Sequence, residues 1–263
     1  MAQEKTITVG AGTLYVAELD DNGEPLGFRE LGDSEGFSIT AEPQNIEARA
    51  GDGKIGDKLY DITVGVDRSL SMTLNEVLLD NYALFLIGET GGNEQASEDS
   101  TVETIASPTP GLRYSLGVTA DRPTGHKDIT VASVEEGGGT TTYEEGTDYE
   151  VDGSRGHIVI LEDGGIGGAD IDVTYDAAEA TYQFAESSED GIPDRYLYYR
   201  EDATEGPDRD IIMPRVQVRP EGEVQTKSRD EHQQISLDGE ALVSDFHGFA
   251  VRVENAEADS VEQ

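Results

Sequence analysis

The sequence contains no cysteine and no tryptophan, and its 263 residues include only 18 Lys and Arg. Without cysteine there can be no disulfide framework, no thiolate metal site and no cysteine nucleophile. The shortage of basic side chains nearly excludes a nucleic-acid binder that neutralises phosphates, because such a surface needs clustered Lys and Arg. No run approaches the ~18 consecutive apolar residues of a membrane-spanning helix. Residues 1–20 show no basic stretch followed by an apolar core, so no secretory leader is expected. The chain reads as a soluble protein made inside the cell, with no membrane partner.

Acid is what the sequence has in excess. Its 56 Asp and Glu give a formal net charge of −38, and the pI is about 4.1. Such a charge strains a compact fold in dilute buffer, whereas in molar salt the Debye length is about 3 Å and the repulsion is largely screened. The bias is chain-wide, with no acidic block, which is the composition of proteins from salt-loving organisms. An acidic surface selected for a cation or a basic partner is the alternative. Under the first reading the charge says little about function.

The hydrophobic residues are 35% of the chain and alternate in clear runs, punctuated by 31 Gly, so the chain is expected to fold and to be mainly β. Strands are expected at 13–19 and 26–31, flanking a hairpin loop at Asp20, Asp21, Asn22, Gly23 and Glu24. Further alternation runs through Phe37, Ile39 and Ala41, then Tyr60, Ile62, Val64 and Val66, then Leu70, Met72 and Leu74. Between these lies a polar loop of Gly51, Asp52, Gly53, Lys54, Ile55, Gly56 and Asp57, which reads as too long for a simple hairpin connection. One helix is expected at about 75–87. Thr73 and Glu76 form a capping-box pattern, Leu74, Val77, Leu78, Tyr82 and Phe85 share one face, and Gly88 takes the position after the helix.

Residues 89–105 read as a linker. Alternating apolar pairs from Leu112 to Tyr175, separated by Gly-rich turns, suggest a small β-sandwich. Long strands return at 195–200, 210–219, 231–243 and 248–254. The expected organisation is a β domain in two parts, 1–105 and 186–254, split by an inserted β-rich domain at 106–185. An acidic tail at 255–263 is expected to fray.

Little in this pattern points to catalysis. Paired carboxylates could serve a glycosidase, but with 56 acids such pairs arise by chance. His126, His157, His232 and His247 are widely spaced and read as turn or surface residues. Gly164, Gly165, Ile166, Gly167, Gly168, Ala169 and Asp170 resemble a calcium-binding nonapeptide faintly, with the acid one place late and no repeat. Tyr196, Tyr198 and Tyr199 could stack a sugar or a base, and on an alternating strand they read more simply as packing. No catalytic residue, metal or cofactor is expected.

Several segments resemble the major tail tube proteins of long-tailed viruses. They are 12–16, 29–33 and 36–39 near the start, Leu84, Phe85, Leu86, Ile87 and Gly88 at the end of the helix, 146–152 with 156–158, and finally 213–222 and 235–242. The resemblance covers nearly the whole chain in order, and with the acidity it suggests a virus of a halophilic archaeon. It implies a tail-tube fold of two packed β-sheets flanked by a helix, and homohexameric rings stacked into a hollow tube for DNA delivery. In that reading residues 51–57 reach a neighbouring ring and the inserted domain decorates the outside. The implied partners are other copies of the chain and the tape-measure, tip and terminator proteins, with viral DNA passing unbound. The implied location is the virion tail, with assembly in the host cytoplasm; an outer inserted domain would be awkward beneath a sheath, so a non-contractile tail is expected.

Two other readings stay open: a surface or secreted β-sandwich that binds glycans, and a halophilic hydrolase. In so acidic a chain, Arg68, Arg195, Arg209, Arg215 and Arg219 are expected to pair with carboxylates, within or between subunits. If the charge is a salt adaptation, circular dichroism will show a folded chain in molar KCl that unfolds on dialysis to low ionic strength. Equal stability in both would tie the acid to a partner instead.

Overall fold

A computed structural model describes residues 10–49, 51, 57–139, 141–189, 191–203 and 208–256. Among these residues the chain is mainly β, 55% strand and 5% helical, with several antiparallel sheets and a single α-helix, consistent with a β-sandwich-like fold. It divides into two compact units. One comprises residues 1–90 and 185–263, the other 91–184. The sequence had suggested divisions at 105 and 185.

The first unit is built on an eight-stranded sheet in the order β2-β1-β13-β14-β15-β4-β3, with β16 also paired to β14. These strands are β1 (Gly12–Leu19), β2 (Pro25–Glu30), β3 (Ser34–Arg49), β4 (Lys58–Leu74), β13 (Asp194–Glu201), β14 (Arg209–Pro220), β15 (Ile235–Ala241) and β16 (Arg252–Asn255). β14 changes neighbour along its length, pairing β16 through Arg209–Ile212 and β15 through Val216–Pro220. Period-2 alternation puts one set of side chains inside. Leu14, Leu70, Leu74, Leu197, Met213, Val216, Ile235 and Leu237 are fully shielded and form one cluster. The β1–β2 loop is the tight turn that its sequence suggests. Asp20 Oδ1 accepts the amides of Asn22 and Glu24, and Gly23 supplies a φ of 84°. Those amide donors hold the exposed Asp20 carboxyl below its ordinary pKa.

The helix differs from its sequence signature. α1 spans Leu79–Leu86, beginning later than expected, and its N-cap residue Leu78 makes no side-chain cap. Thr73 and Leu74 are instead held in the β4 ladder opposite Ser236 and Ile235, and Asn75 bonds to Asp33. Long-range pairing has overridden the local cap. Of the expected helical face, Tyr82 and Phe85 pack on the core from α1 and Val77 from the preceding loop. Leu74 is buried on the strand, and Leu78 is 43% exposed. The left-handed residue at the helix end is Ile87, φ 52°, not Gly88. Gly88 is required for another reason: a Cβ there would lie 1.8 Å from the Glu186 carbonyl oxygen.

Residues 89–105, expected as a linker, are strands. β5 (Gly88–Gln95) pairs with β12 (Ala180–Ser187) in a two-stranded ribbon within which both chain crossings between the units fall. β6 (Glu98–Ile105) pairs with β11 (Ile171–Ala177), which also pairs with β8 (Ile129–Glu136). A second three-stranded sheet joins β7 (Arg113–Ser115), β10 (His157–Ile160) and β9 (Tyr149–Asp152). Leu116, Val134, Ile158, Ile160, Ile171 and Val173 fill the second unit's own core. Among the described residues no helix is long and apolar enough to cross a membrane.

Leu237 is fully buried at the centre of the first core. Leu237→Ala is therefore expected to destabilise that unit by about 2–5 kcal/mol. Calorimetry in molar salt will read this as a lowered transition, and a loss below about 1 kcal/mol would contradict the packing described.

Candidate functional site

The most unusual feature is the ribbon formed by β3 and β4. They pair antiparallel from Ser34↔Leu74 to Arg49↔Lys58, so residues 50–57 join the two strands of one hairpin. This corrects the expectation that the loop is too long for such a connection. Gly51 and Asp57 are exposed at its base. Asp52, Gly53, Lys54, Ile55 and Gly56 lie outside the described residues, as do 257–263 of the expected tail.

At ~3.3 Å per residue, strands of 16 and 17 residues extend about 50 Å. β15 covers the other edge of β4 only from Ser69 to Leu74. From Lys58 to Arg68, β4 has no second neighbour among the described residues. The burial of β4 follows this division. Leu70, Met72 and Leu74 are buried, whereas Leu59, Tyr60, Ile62, Val64 and Val66 are exposed, as is Ile46 on β3. Direct pairing puts Ile46 beside Ile62 and Ala48 beside Tyr60 on one face. A register shift where Gln44 and Asn45 face Gly65 and Thr63 adds a bulge, which increases local twist.

Charge ties the ribbon's outer end. Lys58 Nζ lies 2.6 Å from Asp61 and 2.8 Å from Glu47, and Arg49 is 3.2 Å from Glu47. The hydrogen bonds that Lys58 donates to Asp61 and Glu47 raise its pKa. All these groups are exposed, so the pairs set geometry more than energy.

A second feature lies between β2 and α1. A cleft of about 740 Å³ is lined by Phe28, Arg29, Asp80, Ala83, Leu84 and Arg195, among others. Asn81 is fully buried, donating to the carbonyls of Leu31 at 2.8 Å and Glu76 at 3.1 Å. Its Oδ1 accepts from Arg29 Nη1 at 2.9 Å, and Arg29 Nη2 donates to the Asp80 carbonyl at 3.1 Å. Burial lowers the Arg29 pKa, with neighbouring Arg195 adding to the effect and Asp80 opposing it.

The three tyrosines of β13 do not make one platform. Tyr198 stacks on Tyr15 at 5.7 Å and Tyr196 meets Phe28 edge-on at 5.3 Å, while Tyr199 packs towards the core beside Phe37. Among the singled-out arginines, Arg195 pairs with Glu18, Arg215 with Asp194 and Arg219 with Glu240. Arg68 donates to the Val66 carbonyl at 3.4 Å, and Arg209 begins β14 opposite Asn255.

The second unit holds a network that the sequence did not reveal. His126, expected in a turn or at the surface, is buried with a side chain 2% exposed. Its Nδ1 is 3.1 Å from the Tyr175 hydroxyl and its Nε2 is 3.5 Å from Glu98. The Tyr175 hydroxyl also reaches Glu103 at 3.5 Å, and Glu103 accepts the Gly117 amide at 2.7 Å. Burial pushes the Tyr175 pKa up to about 12 and the His126 pKa down, with Arg122 reinforcing the latter against Glu98 and Glu103. His126 and Tyr175 are buried, while the Glu98 side chain at the network's edge is 40% exposed. The loop 164–170 is tied to other segments by side-chain hydrogen bonds: Asp148 accepts the Gly165 amide, and Asp170 accepts the Ser107 amide. Among the described residues no group of three or more His, Asp or Glu could hold a metal ion.

Because the folded-state pKa of His126 is depressed, the unfolded chain binds a proton first as pH falls. The contribution of neutral His126 is therefore present above about pH 6.5 and is lost progressively as pH falls from there through the lower folded-state value. His126→Gln is expected to reduce the pH slope of stability between pH 7 and 5.5 by at most about 1.4 kcal/mol per unit, one proton's worth. Denaturant titrations across that range measure it, and an unchanged slope would contradict the assignment.

No curated protein matches the chain. Its residues 7–246 match the model of the family described as "Protein of unknown function UCP028589", and the chain belongs to that family.

Proposed function

We propose that the protein is a structural subunit of a viral tail tube, assembling into homohexameric rings that stack around a channel for DNA. The reading joins the sequence resemblance to one structural observation, the β3–β4 ribbon with an open edge and exposed apolar residues. A long apolar edge invites pairing with another chain and is an aggregation hazard unless a specific partner covers it. Covering one such side chain contributes about 1.5–3 kcal/mol. The same surface used head-to-tail gives a ring when the rotation closes and a filament when it does not.

In this proposal the function resides in extended interfaces and involves no catalytic residue or cofactor. The partners are further copies of the chain and the proteins at the two ends of the tube, and the location is the virion. A salt-loving archaeal host accounts for the net charge of −38.

Sedimentation velocity and electron microscopy in molar salt, across a concentration series, test the proposal. Wild-type protein is expected to give rings or hollow tubes. Ile62→Glu and Val64→Glu, both on the exposed ribbon, are expected to stay monomeric with unchanged circular dichroism. A wild type that stays monomeric throughout, or ribbon variants that assemble equally well, would contradict it.

A further inference from the structure

We propose that the cleft between β2 and α1 is a guanidinium clamp that receives an Asp or Glu carboxylate from a second copy of the chain. This rests on the self-assembly reading and adds the chemistry of one contact. Arg29 is half-buried, and its hydrogen bonds all go to uncharged oxygens: Asn81 Oδ1 and the carbonyls of Asp80 and Glu30. No carboxylate oxygen among the described residues lies within 4.0 Å of it. A partly desolvated charge with carboxylates near but none in direct contact is unfavourable, and an incoming carboxylate relieves it with charge-assisted hydrogen bonds.

Arg195 lines the same cleft and is close enough to Arg29 for the two cations to repel. Its side chain is 16% exposed, and its partner Glu18, at 3.3 Å, is 68% exposed. That pair faces water on one side only, and its carboxylate can be exchanged for one from a neighbour. Asn81, fully buried, fixes where the Arg29 fork points.

A carboxylate carried by a protein surface suits this cleft better than a free anion. Glu18, Asp80 and Glu89 also line it, so its field is too mixed to draw small anions from bulk solution. Exposed apolar side chains stand on the same two elements, Leu26 and Phe28 on β2 and Leu79 and Leu86 on α1. An arginine among apolar side chains is the usual make-up of an interface hot spot. β2 is also the outer strand of the sheet. Roughly one residue in five of a neighbouring copy is acidic, so carboxylates are plentiful and guanidiniums are the scarce half of the pair.

The test is the concentration dependence of assembly for the wild type, Arg29→Gln, Arg195→Gln and Arg195→Lys, with thermal melts of each monomer. Arg29 also braces α1, so Arg195→Gln, which loses only an exposed partner, carries the decision. The concentration needed for assembly is expected to rise roughly tenfold or more in both Gln variants. Arg195→Lys should recover only part, since the charge remains but the fork is lost. Added glutarate should raise that concentration for the wild type and not for Arg195→Gln. If the wild type assembles and folded Arg195→Gln assembles equally well, the clamp is overturned and the tube reading stands. Glutarate binding to wild-type monomers without effect on assembly assigns the cleft to a free carboxylate and overturns the second-copy occupant. A wild type that never assembles overturns both.

Discussion

Antiparallel pairing must satisfy both edges of a strand, and β4 meets that demand only along part of its length. Between Ser69 and Leu74 it lies between β3 and β15, and there Leu70, Met72 and Leu74 enter the core. Between Lys58 and Arg68 it has β3 alone among the described residues, and its apolar side chains are exposed. An isolated two-stranded ribbon is marginal in water. The inner half of the strand is thus anchored by a well-packed sheet, while the outer half presents unpaired backbone and apolar surface. The assembly proposal follows from that asymmetry, because a second chain can supply both the missing edge and the missing cover.

The charge constrains how such a contact can be stabilised. With 56 acids on each chain, copies repel in dilute buffer, and at molar salt only interactions over about 3 Å remain effective. Exposed pairs, such as Lys58–Asp61 and Arg219–Glu240 within the chain, contribute little under these conditions. Apolar burial along the ribbon and close, partly desolvated guanidinium contacts are the two kinds of interaction that survive these conditions. Arg29 and Arg195 belong to the second kind.

Much of the fold was legible in the sequence because period-2 alternation marks strands directly. β1, β2 and the Asp20 turn between them fall where the pattern puts them, as do β4, β13 and β14. β5 was invisible: its sequence GETGGNEQ has no apolar residue, and it is a strand only because β12 lies beside it. The Thr73–Glu76 signal for a helix start was real local chemistry overruled by the ladder to β15. Of the candidate sites, the apolar alternation from Tyr60 to Val66 was visible, but alternation implies a half-buried strand and cannot show that nothing covers it. The Arg29–Asn81 bond joins residues 52 apart, and the burial of His126 depends on Tyr175, 49 residues on. Neither leaves a local trace.

The central claim is that the outer ribbon is an edge completed by another copy. Hydrogen exchange of backbone amides, followed by mass spectrometry in dilute and in assembled protein at the same salt, tests it most directly. Residues 58–68 are expected to exchange fast in dilute protein and to become protected on assembly, while 69–74 are protected in both. Assembled particles in which 58–68 remain as open as in dilute protein would contradict the account.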